Sequence, residues 1–140
     1  MREMAARGNP LPFLQVVQNV LTHLSRRDYQ QFDEKYIKAI ILALALQVKT
    51  YFVRSERETL EGYIDLVFTK HQPFRINHQF VFELKYLKKE EAKKLKTVEK
   101  KAAKQVSAYV QQDAVIRAME GLQVWTVVIV KDQVNAKRVE

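Results

Sequence analysis

The sequence predicts an α/β domain with a mixed four-stranded sheet flanked by helices, in the order helix, helix, strand, strand, strand, helix, strand. Three observations carry this. The runs TYFVRS (Thr50–Ser55) and GYIDLVF (Gly62–Phe68) are rich in aromatic and β-branched residues and stand apart by a short polar stretch, which is the pattern of a hairpin. A third apolar run, Gln79–Tyr86, precedes a long Lys, Glu, Ala and Gln stretch and then LQVWTVVIV (Leu122–Val130), a strand–helix–strand order that implies a parallel crossover. The 140 residues contain only three glycines and three prolines, the size of one domain without low-complexity linkers.

Each element has its own signal. Leu14, Val17, Val20, Leu21 and Leu24 recur at helical spacing after Pro10, giving a first amphipathic helix within residues 1–27. A second helix is expected from about Asp28 to Gln47. Its Ala39–Leu46 portion is apolar nearly all round, so it should be covered on several sides and pack on the sheet. The hairpin strands follow, then a loop from Thr69 to His78 and the third strand. The lysine-rich helix is expected to stop near Gly121, ahead of the last strand. The main domain is therefore assigned to 28–140.

Composition narrows the chemistry. A hydrophobic fraction of 47% and a charged fraction of 29% describe a folded domain, and a formal net charge of +8 draws polyanions, nucleic acid among them, although many basic proteins bind none. The absence of cysteine excludes disulfides, thiolate metal sites and a cysteine nucleophile, so any metal must sit on oxygen or imidazole. Glycine only at positions 8, 62 and 121 leaves no Walker A loop or dinucleotide fingerprint, and His23, His71 and His78 form no HExxH pair. No stretch reads as a secretion signal and the longest apolar run is too short for a bilayer, so a cytoplasmic protein with no membrane contact is expected.

Charge inside the apolar strands is the informative anomaly. By the two-residue period, Asp65 shares a face with Tyr63 and Val67, and Glu83 and Lys85 share a face with Val81. If the two strands pair, three ionisable groups converge where burying an unpaired charge costs several kcal/mol, roughly. Two carboxylates there make a hard oxygen site suited to Mg²⁺ or Mn²⁺; an ion pair at the sheet's solvated rim accounts for the same letters. Glu34 extends the buried stripe of Ile37 and Ile41 toward the helix N-terminus, where it either joins the cluster or complements the helix dipole. Gln105 and Tyr109, four residues apart, can aim an amide and a phenol at one target or simply form an amphipathic face. Residues 88–104 hold eight lysines against three glutamates, a phosphate-neutralising surface or a solvated helix.

Taken together, Gly62-x-x-Asp65, Glu83-x-Lys85 closing an apolar strand, and Gln105-x-x-x-Tyr109 on the next helix resemble the PD-(D/E)xK nuclease superfamily, in particular its RecB-like branch, over about Gln31 to Val130. Ile64 stands where the superfamily's name-giving proline would be. The surrounding text is similar to bacterial proteins in which this domain follows an AAA-ATPase-like region, so residues 1–27 are expected to be the end of a connecting helix.

The resemblance implies a restriction-endonuclease-like core and metal-dependent phosphodiester hydrolysis of nucleic acid, most of all DNA. It further implies that Asp65, Glu83 and Glu34 ligate Mg²⁺ or Mn²⁺, with Lys85 orienting or deprotonating water and Gln105 positioning substrate or Lys85. Lys88, Lys89, Lys93, Lys94, Lys101 and Tyr109 are the expected nucleic-acid contacts. The alternatives are a non-catalytic docking module of the same fold beside an ATPase, and an interaction domain whose lysines meet an acidic protein.

Overall fold

Asp33 determines where the first long helix of the core begins. In extended conformation, its carboxylate accepts the Lys35 N–H at 2.9 Å and caps α3, which runs Glu34–Val48. The residues before it, expected in the same helix from about Asp28, turn instead. Ser25 donates both its N–H and its hydroxyl to the Asp28 carboxylate, and Gln31 takes a left-handed φ of 60°. The computed structural model describes residues 1–71 and 74–140. Of the loop expected over Thr69–His78, residues 72 and 73 lie outside the described residues, while Thr69 and Lys70 prolong the preceding strand.

In chain order the other elements are α1 (Arg2–Arg7), α2 (Leu11–Thr22), β1 (Tyr51–Glu58), β2 (Tyr63–Lys70), β3 (Gln79–Leu87), a 3₁₀ helix (Lys89–Lys94), α4 (Leu95–Gln112), α5 (Ala114–Arg117), β4 (Leu122–Val130) and β5 (Gln133–Val139). The sheet has five strands in sequential order, antiparallel except for the β3–β4 pair, which is parallel and bridged by α4. The mixed sheet and the crossover are thus as expected, with one strand more. β5 returns from β4 through a two-residue turn, Lys131-Asp132, in which Lys131 adopts φ 57° without the Asn-Gly or Asp-Gly letters that announce such turns. The helix before β4 also ends earlier than Gly121. Asp113 leaves helical geometry and its side chain caps α5 by accepting the Val115 and Ile116 N–H groups.

Each face of the sheet has its own core. Phe68, Phe80, Phe82, Leu84, Val127 and Ile129 pack against Met4, Phe13, Leu14, Val17 and Leu21 of α1 and α2 and against Ile37, Ile41 and Ala45 of α3. On the other face Val67 and Val81 meet Val106 and Val110 of α4 and Ile116 of α5. The expectation that α3 is covered on several sides does not hold. Only Ile37, Ile41 and Ala45 are buried, Leu46 is 57% exposed, and Ala39 and Ala43 face outward, because the helix has the sheet on one side and no layer beyond it. No described helix is long and apolar enough to cross a membrane.

Candidate active site

The site forms where two strands part. Among the described residues, β2 and β3 pair only through Leu66–Phe68 and Phe80–Phe82. At the next step the β2 backbone leaves the ladder and the Asp65 side chain replaces it, Oδ2 accepting the Leu84 N–H at 2.8 Å. The β1–β2 ladder is interrupted at the same level. Ser55 pairs with Leu66 and Arg57 with Ile64, but Glu56 and Asp65 between them do not pair, and Glu56 sits at φ 53°. The strict alternation expected of GYIDLVF therefore fails at its acid: Ile64 joins Val67 in the α4-side core, and Tyr63 is 54% exposed.

β3 brings Glu83 and Lys85 to this opening. Glu83, 2% exposed and level with Thr126 of β4, has Oε1 3.5 Å from Lys85 Nζ, while its Oε2 is buried with no hydrogen-bond partner among the described residues other than a proton shared with the Asp65 carboxyl. A buried carboxylate oxygen so placed calls for an explanation. Burial pushes the Glu83 carboxyl up to about 8, with the neighbouring Asp65 charge adding to the rise and Lys85 opposing it. Burial also raises Asp65, against the Leu84 N–H and the Lys38 and Lys85 ammonium groups, which favour its charged form; Glu34 pushes it further up.

α3 supplies the third acid. Its first residue, Glu34, reaches the end of β3, where Oε1 accepts the Tyr86 N–H at 3.2 Å. The structure thus brings Glu34, Asp65, Glu83 and Lys85 into one electrostatic neighbourhood. Among the described residues no three acid or histidine side chains stand close enough to form a complete cage for a metal. The donor set nevertheless suits a hard divalent cation, since burial raises both neighbouring carboxyls despite Lys38 and Lys85, and a bound cation would let both ionise.

Gln105 and Tyr109 lie together on α4, but they meet each other. Gln105 Nε2 donates to Tyr109 Oη at 2.7 Å, and no hydrogen bond joins Gln105 to Lys85 among the described residues. Tyr109 is pressed against Gly62 so closely that a Cβ there would lie 2.6 Å from its hydroxyl, so a side chain at this position of the hairpin turn must displace the ring. Lys88, Lys89, Lys93, Lys94 and Lys101 are exposed, Lys94 Nζ standing 3.5 Å from Glu91, and a shallow depression beside them is lined by Lys96, Lys100, Lys101 and Lys104.

Two charged residues that the sequence reading left out complete the arrangement. Lys38, one helical turn beyond Glu34, has its ammonium 2.7 Å from Glu56 Oε1. A Glu34-x-x-x-Lys38 spacing on the buried stripe was the available signal for the lysine. Nothing in the letters announces the left-handed Glu56.

Sheet, flanking helices and the acid-marked strand break define an α/β domain with a restriction-endonuclease-like core. A family model described as the PD-(D/E)XK nuclease superfamily matches residues 32–139, most of the chain, and the chain belongs to that superfamily. No curated protein and no solved structure gives a significant match. Membership points to nuclease-type chemistry on a nucleic-acid substrate, in a superfamily that typically uses divalent metal ions.

Proposed function

We propose that this domain hydrolyses phosphodiester bonds of DNA in a divalent-cation-dependent reaction. The observation that carries the reading is the buried Glu83 Oε2 beside Asp65, with Lys85 Nζ 3.5 Å from the other Glu83 oxygen. Asp65 and Glu83 would hold Mg²⁺ or Mn²⁺, with Glu34, bonded to the Tyr86 N–H, adding negative charge beside them. When bound, such a cation supplies charge stabilisation at phosphate oxygens and a water that ionises near neutral pH.

The chain's own residues do the rest. Leu84 N–H fixes the Asp65 carboxylate by one oxygen, which limits the directions open to the other. Lys85, on the same strand as Glu83, holds water for attack, takes or returns its proton and offsets negative charge at the scissile phosphate. Gln105 turns from Tyr109 to substrate, and Tyr109 keeps that helix face against the hairpin. Lys88, Lys89, Lys93, Lys94 and Lys101 attract and track the backbone of the nucleic acid. The reading extends to a RecB-like nuclease acting beside an ATPase region of its parent protein in the cytoplasm, which rests on the similarity of Gln31–Val130 to such domains.

Incubating the full chain with labelled DNA and Mg²⁺ or Mn²⁺ tests this directly. Cation-dependent cleavage that Asp65→Ala lowers by about a hundredfold or more is expected. Cleavage indifferent to that change overturns the reading, and DNA binding without any product favours a docking module instead.

A further inference from the structure

The Lys38–Glu56 pair lies over the strand break, and nothing in the reaction described above uses it. Lys38 is a largely buried lysine, its side chain only 12% exposed, whereas the Glu56 side chain is 57% exposed. The buried partner of such a pair is held; the exposed one is free to leave. Burying an ammonium against one mobile carboxylate is a poor arrangement for stability, because the desolvation cost is paid at Lys38 while water screens the attraction at Glu56.

Position explains it better. Lys38 shares its face of α3 with Glu34, one turn away, so the helix presents an acid and then a cation to the opening. Through Glu56, which stands level with Asp65 between the Ser55–Leu66 and Arg57–Ile64 pairs, the Lys38 ammonium is brought from α3 to the strand break, while Lys85 comes from β3. Glu56 occupies the β1 position level with Asp65, and only its left-handed backbone takes it out of the ladder there. A non-glycine residue in that conformation marks a position where the surroundings override local preference.

We propose that Lys38 is a phosphate-binding residue at the strand break, a second cation beside Lys85 and on a different element, which Glu56 holds in place until a backbone phosphate of the substrate strand displaces the carboxylate. This rests on the reading of the cleft as a nucleic-acid site, and it adds a ligand position on α3 and a resting partner on β1. A phosphate oxygen offers the ammonium the same charge-assisted hydrogen bond that Glu56 offers, and the exposed Glu56 side chain swings into water. The site would then hold the strand through two cations carried by different elements, Lys38 on α3 and Lys85 on β3.

The experiment measures binding, not turnover. Fluorescently labelled single-stranded and duplex DNA are titrated with the full chain in EDTA across a range of salt concentrations. Lys38→Ala and Lys38→Met are expected to weaken binding about tenfold. The salt slope should become shallower by about 0.7 on single strands or 0.9 on duplex, one phosphate contact fewer. Lys38→Arg should restore most of the affinity. Glu56→Gln should tighten binding in the wild-type background and have no effect alongside Lys38→Met.

Binding and salt slope unchanged in Lys38→Met, with only a lowered melting temperature, would overturn the proposal and leave Lys38 as a pin between α3 and the hairpin. An equal gain from Glu56→Gln with and without Lys38 would overturn it too, by showing a general charge effect. A chain that never cleaves DNA but binds it in a Lys38-dependent way keeps this proposal and loses the hydrolytic one. Absence of any nucleic-acid binding defeats both.

Discussion

The Leu84 N–H donates to Asp65 Oδ2 at 2.8 Å, so a side chain completes the ladder that the β2 backbone has abandoned. Asp65 therefore carries two duties that substitution can separate. In Asp65→Asn the amide oxygen can still accept from Leu84, and the variant should be at least as stable as the wild type while hydrolysis falls about a hundredfold or more. Asp65→Ala loses both, and the Leu84 N–H left unpaired should lower unfolding free energy by about 1–3 kcal/mol. Denaturant melts alongside a cleavage assay distinguish them.

Glu83 makes stability depend on pH in an unusual direction. Its carboxyl lies near 8 in the folded chain against 4.5 for the ordinary group, chiefly through burial. Between those values the folded state holds more protons than the unfolded one, so this group's contribution to stability is full below the ordinary value and is lost as pH rises toward 8. In EDTA, denaturation midpoints should fall over that range, and Glu83→Gln should flatten the fall. Mg²⁺ or Mn²⁺ affinity should rise with pH over the same interval, since the cation displaces the proton, and calorimetry in buffers of different ionisation enthalpy would register its release.

Lys85 is partly exposed and pairs with Glu83 at 3.5 Å. Lys85→Met keeps the stem that packs along β3 and removes the charge. Hydrolysis should drop about a hundredfold or more while DNA affinity in EDTA falls by no more than the roughly tenfold expected of one lost phosphate contact, because the proton-handling group has no substitute. Single-turnover cleavage measured beside anisotropy titrations gives both numbers.

Gly121 sits just before β4 at φ 64°, where a Cβ would collide with the carbonyl oxygen of Asn77, whose own N–H bonds to Ala5. Gly121→Ala combines left-handed strain with a backbone clash and should cost about 2 kcal/mol or more, shown as a lowered melting temperature. Gly62→Ala is a milder case. It displaces the Tyr109 ring, which the Gln105–Tyr109 hydrogen bond would report through altered Tyr109 fluorescence or ring resonances.

Much of this site was legible because charge stands out in apolar strands. Asp65, Glu83 and Lys85 interrupt runs of aromatic and β-branched residues, and Glu34 continues a stripe that Ile37 and Ile41 define. Lys38 lies on the same stripe, but the apolar residues after it carry the pattern of packing, not of a charged site. The exposed side of α3 misled for the same reason: alanine and leucine are good helix formers whether or not anything covers them. β5 was illegible for the opposite cause. QVNAKRV is polar on the edge of a sheet and enters by a Lys-Asp turn, so neither its residues nor its turn carry the usual marks. The alternation rule placed Asp65 on a strand face, but its carboxylate serves as a backbone substitute at a strand break, and only the ladder's end, a long-range property, could show that.

The parallel seam between β3 and β4 sets an order of events as the chain is made. Glu83 leaves the ribosome with Phe80–Phe82 ready to pair with β2, but its neighbour across the seam, Thr126, is synthesised only after all of α4. Until β4 docks, the Glu83 carboxyl has water on that side, and burial, the chief cause of its rise, is incomplete. The property that makes it useful is conferred late, by a strand that contributes no acid or base of its own, so a nascent or β4-deficient chain carries the right letters in an unarmed state.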